Sequence, residues 1–261
     1  MIRHLSAETK LTLRILFRQP GFWVPTVLFP AMLYAFFGAN SGGGAWASHA
    51  MASFAVYAVL GVGFFQFGVS VAQDRASPFA TWQRSLPGPA GFLWLARILA
   101  SVIFVAIAVA LVVAVSLAMT DISLPAMAWA RLAAVCLMAT VAATIMGIAL
   151  GSVASARAAV PLANLIYLPL AYLGGLWVPP MVMPGAINAI SVWTPTRAMG
   201  ELAWAAIEGR AWAAQDLGLL AAWTLAAAAL VSVAQMRQRR ALLPAKPLQS
   251  LKNPEGPRAT H

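Results

Sequence analysis

The sequence predicts an all-α integral membrane protein with six transmembrane helices and both termini in the cytoplasm. Three observations lead there. Of 261 residues, 61% are hydrophobic and only 9% are charged, whereas soluble domains carry about 25% charged residues. A chain this poor in charge cannot cover a water-facing globule, and its apolar content excludes a disordered chain. Six stretches reach the roughly 20 mainly apolar residues that cross a bilayer. The basic residues also fall unevenly between the two sets of alternating loops.

Taken in order, residues 1–20 read as an interfacial helix. At about 100° per residue, Arg3, Lys10, Arg14 and Arg18 share an arc of roughly 80°, with Leu5, Leu13 and Leu16 opposite. Such a basic amphipathic helix lies on the inner leaflet. The spans follow at about 22–39, 50–72, 96–119, 130–153, 159–178 and 212–235. The first is longer than the roughly 7–15-residue apolar core of a signal peptide and lacks a cleavage pattern, so it is expected to be retained. Asn40-Ser41-Gly42-Gly43-Gly44 separates spans one and two, Thr120-Asp121 and Pro125 separate three and four, and Ser155-Ala156-Arg157 forms a tight turn before the fifth. Residues 1–235 form one transmembrane domain. The tail, 236–261, opens with Met236-Arg237-Gln238-Arg239-Arg240 and continues with Pro244, Pro247, Pro254 and Pro257. It reads as a headgroup anchor followed by a disordered cytoplasmic segment.

Charge sets the orientation. One set of segments (the N-terminus, the second and fourth loops and the tail) holds 14 basic residues, while Arg131, Arg197 and Arg210 occupy the other. The richer side is cytoplasmic by the positive-inside rule. The net charge of +10 therefore orients the chain, and no nucleic-acid partner is expected.

Two segments outside the spans carry information. In the second loop, Ser77 can cap a short helix with Pro78 at its first position, and Pro87-Gly88-Pro89 ends it. That helix would present Phe79, Trp82 and Arg84, either to a docking partner or to lipid headgroups. The segment 179–211 is too apolar for a plain loop and too broken by Pro179, Pro180, Pro184 and Pro195 for a span. Thr194 can cap its later part, with Pro195 at the first position and Arg197 paired to Glu201 at i,i+4. Two short helices dipping into the outer leaflet, or a simple outer cap, both satisfy this pattern.

No motif supplies chemistry. Cys136 is the single cysteine, and His4, His49 and His261 lack ligand spacing. None of Lys10, Lys246 and Lys252 lies in a phosphate-binding loop, and no G-x-S-x-G or H-E-x-x-H occurs. Asp216, about one turn inside the sixth span, is the acidic residue nearest to the membrane interior. A pump with its own ion coupling usually needs buried ionisable groups. An ion-coupled secondary transporter is disfavoured on that ground, and a membrane-embedded enzyme or assembly protein is the other rival. No metal site and no bound cofactor are expected.

These features together resemble the membrane subunit of type 2 ATP-binding-cassette (ABC) transporters, over nearly the whole chain. Leu13-Arg14-Ile15-Leu16-Phe17-Arg18-Gln19-Pro20 with Pro25 and Phe29-Pro30 is similar to the family's basic entry helix. Asp74-Arg75, Thr81 to Leu86 and Pro87 are similar to its coupling loop. Gly174-Gly175-Leu176-Trp177-Val178-Pro179, Pro184 and Trp193-Thr194-Pro195 are similar to its outer re-entrant helices. The nearest likeness is to bacterial drug- and antibiotic-resistance exporters. At Ser77-Pro78-Phe79-Ala80 the chain departs from the glycine-threonine element of many members.

The resemblance implies a permease in the bacterial cytoplasmic (inner) membrane. It would pair with a second permease subunit, identical or paralogous, and with cytoplasmic ABC ATPase subunits that bind ATP and Mg. This chain would hydrolyse nothing. It would export a hydrophobic or amphipathic cargo: a drug, an antibiotic, a lipid or a lipid-linked glycan. Asp74, Arg75, Phe79, Thr81, Trp82 and Arg84 would couple it to the ATPase.

Within the spans, Gln66, Thr140, Thr144, Asn164, Tyr167 and Tyr172 could line a substrate path or join helices. Tyr34, Tyr57 and Trp177 could do the same or belong to interfacial aromatic belts. Gly147 and Gly151 form a G-x-x-x-G, and Pro25, Pro30, Pro161 and Pro169 could kink the first and fifth spans at a dimer seam.

Overall fold

A computed structural model describes residues 2–40, 43–77 and 90–242. The expected coupling helix, with Phe79, Thr81, Trp82 and Arg84, lies outside the described residues, as does the tail from 243 onward. The described residues are helices joined by short turns: α1 Ile2–Phe17, α2 Pro20–Leu33, α3 Gly44–Gly61, α4 Ser70–Ala76, α5 Ala90–Met119, α6 Ala126–Val153, α7 Ala159–Leu173, α8 Gly185–Ser191, α9 Pro195–Glu208 and α10 Ala214–Leu242. Two π-helical segments, Tyr34–Gly38 and Val62–Val69, continue α2 and join α3 to α4.

Among the described residues, four helices are long and apolar enough to cross a membrane: Gly44–Ala76, Leu95–Met119, Ala126–Val153 and Ala214–Arg237. Trp23–Gly38 and Ala159–Leu173 are shorter apolar helices. The described residues hold helices and turns but no strand, and the protein is a multi-pass membrane protein.

The centre is the continuous helix Gly44–Ala76. From Met51 to Leu60 every residue is buried, and α2, α5, α6, α7 and α9 surround it. Small residues make this possible. A helix apolar on every side is a buried one, and alanine, serine and glycine let its neighbours come close.

The closest approach is to α6. A π turn closes i→i+5 bonds, so Gly63 and Gly68 lie one turn apart on one face. An α turn places Gly147 and Gly151 on one face at i,i+4. The two pairs meet backbone to backbone. A Cβ added to Gly63 would stand 2.6 Å from the Ala143 carbonyl, and one on Gly68 would stand 2.8 Å from the Gly147 oxygen. A Cβ on Gly147 would strike the Gly63 carbonyl, and one on Gly151 the Gly68 carbonyl.

Some boundaries differ from those read in the sequence. The second span, expected at 50–72, starts at Gly44 and runs to Ala76, with no proline to break it. The fifth, expected to reach 178, stops at Leu173, where Gly175 turns the chain at φ +74°. Pro25, Pro30 and Pro169 lie inside their helices. Pro161 lies in the first turn of α7, where its missing N–H leaves no helical bond unmade. α1 packs on α5, with Leu16 buried and the Phe17 ring 4.8 Å from that of Phe104, while Arg14 and Arg18 are exposed.

Candidate functional site

Two polar assemblies stand at opposite ends of the bundle. The first holds the helix ends that flank residues 78–89. Asp74, near the end of α4, pairs with Arg97 of α5, so one ion pair ties the helix entering the loop to the helix leaving it. Arg75 NH1 donates to the Gly151 carbonyl oxygen at 2.8 Å, which fixes α4 to the end of α6. Ser77 donates its hydroxyl proton to the Asp74 carbonyl at 2.7 Å and closes α4.

The second assembly is the broken segment between α7 and α10. Thr194 caps α9, its hydroxyl oxygen accepting from the Arg197 N–H at 3.2 Å, with Pro195 at the first position. Pro179 and Pro184 precede the 3₁₀ turn Pro180–Val182 and α8. Thr196 donates to the Leu170 carbonyl at 2.6 Å and Ser191 to the Leu173 carbonyl, so the segment folds back onto α7. Trp204 Nε1 donates to Ser53 Oγ at 2.9 Å and fixes α9 to the central helix. Arg197 organises the corner. It donates to Glu201 at 2.9 Å, to Asn188 at 3.1 Å and to Ser191 at 3.2 Å, and it lies 5.8 Å above the Trp204 ring.

Beside it runs a chain of charges. His49 Nε2 lies 2.5 Å from one Glu208 oxygen, and Arg210 holds the other. His49 Nδ1 lies 2.8 Å from the Ala45 carbonyl. Arg131 of α6 donates to the Arg210 carbonyl and stacks 5.3 Å over Trp212. Desolvation pushes the Glu208 carboxyl up, but Arg210 and His49 outweigh it and hold the group below its ordinary value. A cavity of about 350 Å³ opens between α3, α9 and the proline-rich segment. Trp46, Trp177, Trp204, Glu201, Glu208 and Arg210 are among its walls.

The polar residues inside the bundle separate into groups. Thr144 donates to Ser101 Oγ at 2.9 Å, and Thr140 donates to the Cys136 carbonyl of its own helix at 2.6 Å. Tyr167 is buried, stacks on Tyr57 at 4.9 Å and donates to the Tyr57 carbonyl at 3.3 Å. It therefore joins α7 to α3. Asn164 is exposed on α7 and donates to the Val160 carbonyl at 3.2 Å. Tyr172 is half-buried near the end of α7. Gln66 is 1% exposed, and neither of its amide atoms has a hydrogen-bond partner among the described residues.

The structure thus joins Pro179 and Glu201 at one cavity, with Pro184 and Pro195 opening the helices beside it. It keeps Asp74 and Arg75 together at the other end. Sequence reasoning passed over Arg97, His49, Glu208 and the Gly63–Gly68 pair. His49 and Glu208 are 159 positions apart, so no spacing signal joins them.

A buried helix packed through glycines, ion-paired helix ends on one side and an aromatic cavity on the other make up a membrane-embedded helical subunit. The family profile of the ABC-2 type transporter matches residues 4–207, and the chain belongs to that family. It is the membrane subunit of an ABC transporter, and ABC-2 permeases work with ATPase subunits. A Bacillus subtilis (strain 168) protein named as a transport permease, YvfS, is 25% identical over 165 residues, which span 63% of this chain and 67% of that protein.

Proposed function

We propose that this chain is the permease half of an exporter driven by separate ATPase subunits. The six apolar helical segments cross the bacterial cytoplasmic membrane with both termini inside, and α1 lies on the inner leaflet. The segment from Pro179 to Arg210 sits at the outer face. A second permease subunit packs along α2 and α7. Asn164 supports that seam, because an amide on an exposed transmembrane face is costly in lipid.

The observation that carries the reading is the clamp at the loop root. Asp74–Arg97 and Arg75–Gly151 tie α4, α5 and α6 together on either side of residues 78–89. A push on that loop from an ATPase would then move three helices together. The cargo is hydrophobic or amphipathic, and ATP and Mg are bound by the partner.

The test is reconstitution with the co-purifying ATPase. Trp82→Ala and Arg84→Glu should lower ATP-dependent transport at least tenfold while the chain stays folded. Asp74→Asn should do so without loss of ATPase docking. Unchanged transport in the loop variants would overturn the coupling role. Proton-driven transport by the chain alone would point to an ion-coupled carrier instead.

A further inference from the structure

We propose that the cavity beside α9 binds the headgroup of a zwitterionic amphiphile, its ammonium on Glu201 and its phosphate on Arg210. Three observations combine. The first is unused hydrogen-bonding capacity on groups of both signs. Glu201 is bonded by Arg197 through Oε1 alone, which leaves Oε2 to accept. Arg210 bonds Glu208 through Nε, which leaves the NH1–NH2 edge of a guanidinium whose side chain is 54% exposed. Their existing bonds use only part of that capacity: Glu208 gives one oxygen to His49 and one to Arg210, Arg197 is taken by Glu201, Asn188 and Ser191, and Asp216 lies near enough to couple to Glu201, Arg197 and Arg210. A cation alone would leave the free Arg210 donors unused, and an anion alone would leave Glu201 Oε2 unused. A head bearing both charges answers both, with charge-assisted bonds at each end.

The second observation is the wall. Phe37, Trp46, Phe54 and Trp177 line the cavity together with Trp204. Aromatic faces suit an ammonium and also suit the first carbons of an acyl chain. The third is the mouth. Phe37, Trp46 and Met181 line it and are 67%, 50% and 74% exposed. They stand at the end of the spans, at the depth where aromatic side chains meet headgroups. A volume of about 350 Å³ lies at the lower end of ligand cavities. It suits a head and the start of its chains, with the tails left in the bilayer.

The site deepens the permease reading, since its occupant is either a resident bilayer lipid or the cargo itself. The binding test is independent of that reading because it needs no ATPase. The full chain, purified in detergent, is titrated with dihexanoyl phosphatidylethanolamine and with dihexanoyl phosphatidylglycerol, which keeps the phosphate and lacks the ammonium. Calorimetry and tryptophan fluorescence give the readout. The ethanolamine lipid should bind at least tenfold more tightly. Glu201→Gln should abolish that preference, and Arg210→Gln should weaken both lipids about tenfold. Glu201→Asp and Arg210→Lys should keep part of the binding, which separates lost contacts from misfolding.

Equal binding of the two lipids, unmoved by Glu201→Gln, or binding of neither, would overturn the proposal. Mass spectrometry of lipid carried through purification distinguishes the sources. Phosphatidylethanolamine retained by the wild type and lost from Glu201→Gln marks a resident lipid. Binding without retention, together with ATP-driven movement between leaflets in proteoliposomes, marks a cargo.

Discussion

Gln66 is buried in the central helix, and neither amide atom has a partner among the described residues. An unsatisfied buried polar group costs about 1–3 kcal/mol, and an apolar group of similar shape removes that cost. Gln66→Leu should therefore raise the midpoint of thermal or SDS unfolding by the equivalent of about 1–2 kcal/mol. A fall would mean that Gln66 has a partner the isolated chain lacks. Higher stability with lower transport would place the amide in the transport cycle. Glu208 gives a second prediction. Its carboxyl is held below its ordinary value by Arg210 and His49. The stabilisation it contributes is complete above that ordinary value and is lost as pH falls through the lower, folded value. Glu208→Gln should lower stability at neutral pH and flatten the acid limb of the stability profile below about pH 4.5, so that variant and wild type converge at low pH. An unchanged acid limb would show that the ion pairs do not hold in solution. Thr194, Pro195, Arg197 and Glu201 were legible at this scale, because caps and i,i+4 pairs are local. The His49–Glu208 pair was not, because only the tertiary fold brings its members together.

At the level of elements, the contact between the Val62–Val69 segment and α6 is the most sharply determined. Gly147→Ala would drive a methyl into the Gly63 carbonyl. Overpacking of this kind costs about 1–3 kcal/mol. Gly218 of α10 has no atom within 4 Å of a built Cβ. Gly218→Ala should stabilise by about 0.5–1 kcal/mol, the helix-propensity gain alone. Measuring both in one unfolding assay separates packing from propensity, and equal effects would refute the close approach. The G-x-x-x-G at Gly147 could be read from α spacing. Its mate could not, because Gly63 and Gly68 share a face only in the π register. The end of α7 was misplaced by the same kind of limit. Hydropathy runs on past Leu173, and the backbone at Gly175 decides where the helix stops.

For the whole molecule, six apolar segments and their order were visible in composition and periodicity. Which of them is enclosed was not, because hydropathy alone does not tell a lipid-facing helix from a core one. The orientation can be tested with Cys136, which is buried in α6. In a Cys136→Ala background, a cysteine at Ala156, between α6 and α7, should react with a membrane-impermeant maleimide only after the membrane is opened. One at Gly209, beyond α9, should react in intact cells. Labelling of both from one side would refute the six-span topology.

The enclosure of Gly44–Ala76 also bears on biogenesis. This helix is made second among the apolar segments, yet most of the helices that surround it (α5, α6, α7 and α9) are synthesised after it. While ribosomes are still producing those segments, the glycine face lacks the α6 backbone it packs against in the finished fold. A nascent chain halted after α5 would carry an unsheltered core, a natural substrate for membrane quality-control proteases. Completion of α6 is then the step at which the protein becomes worth keeping.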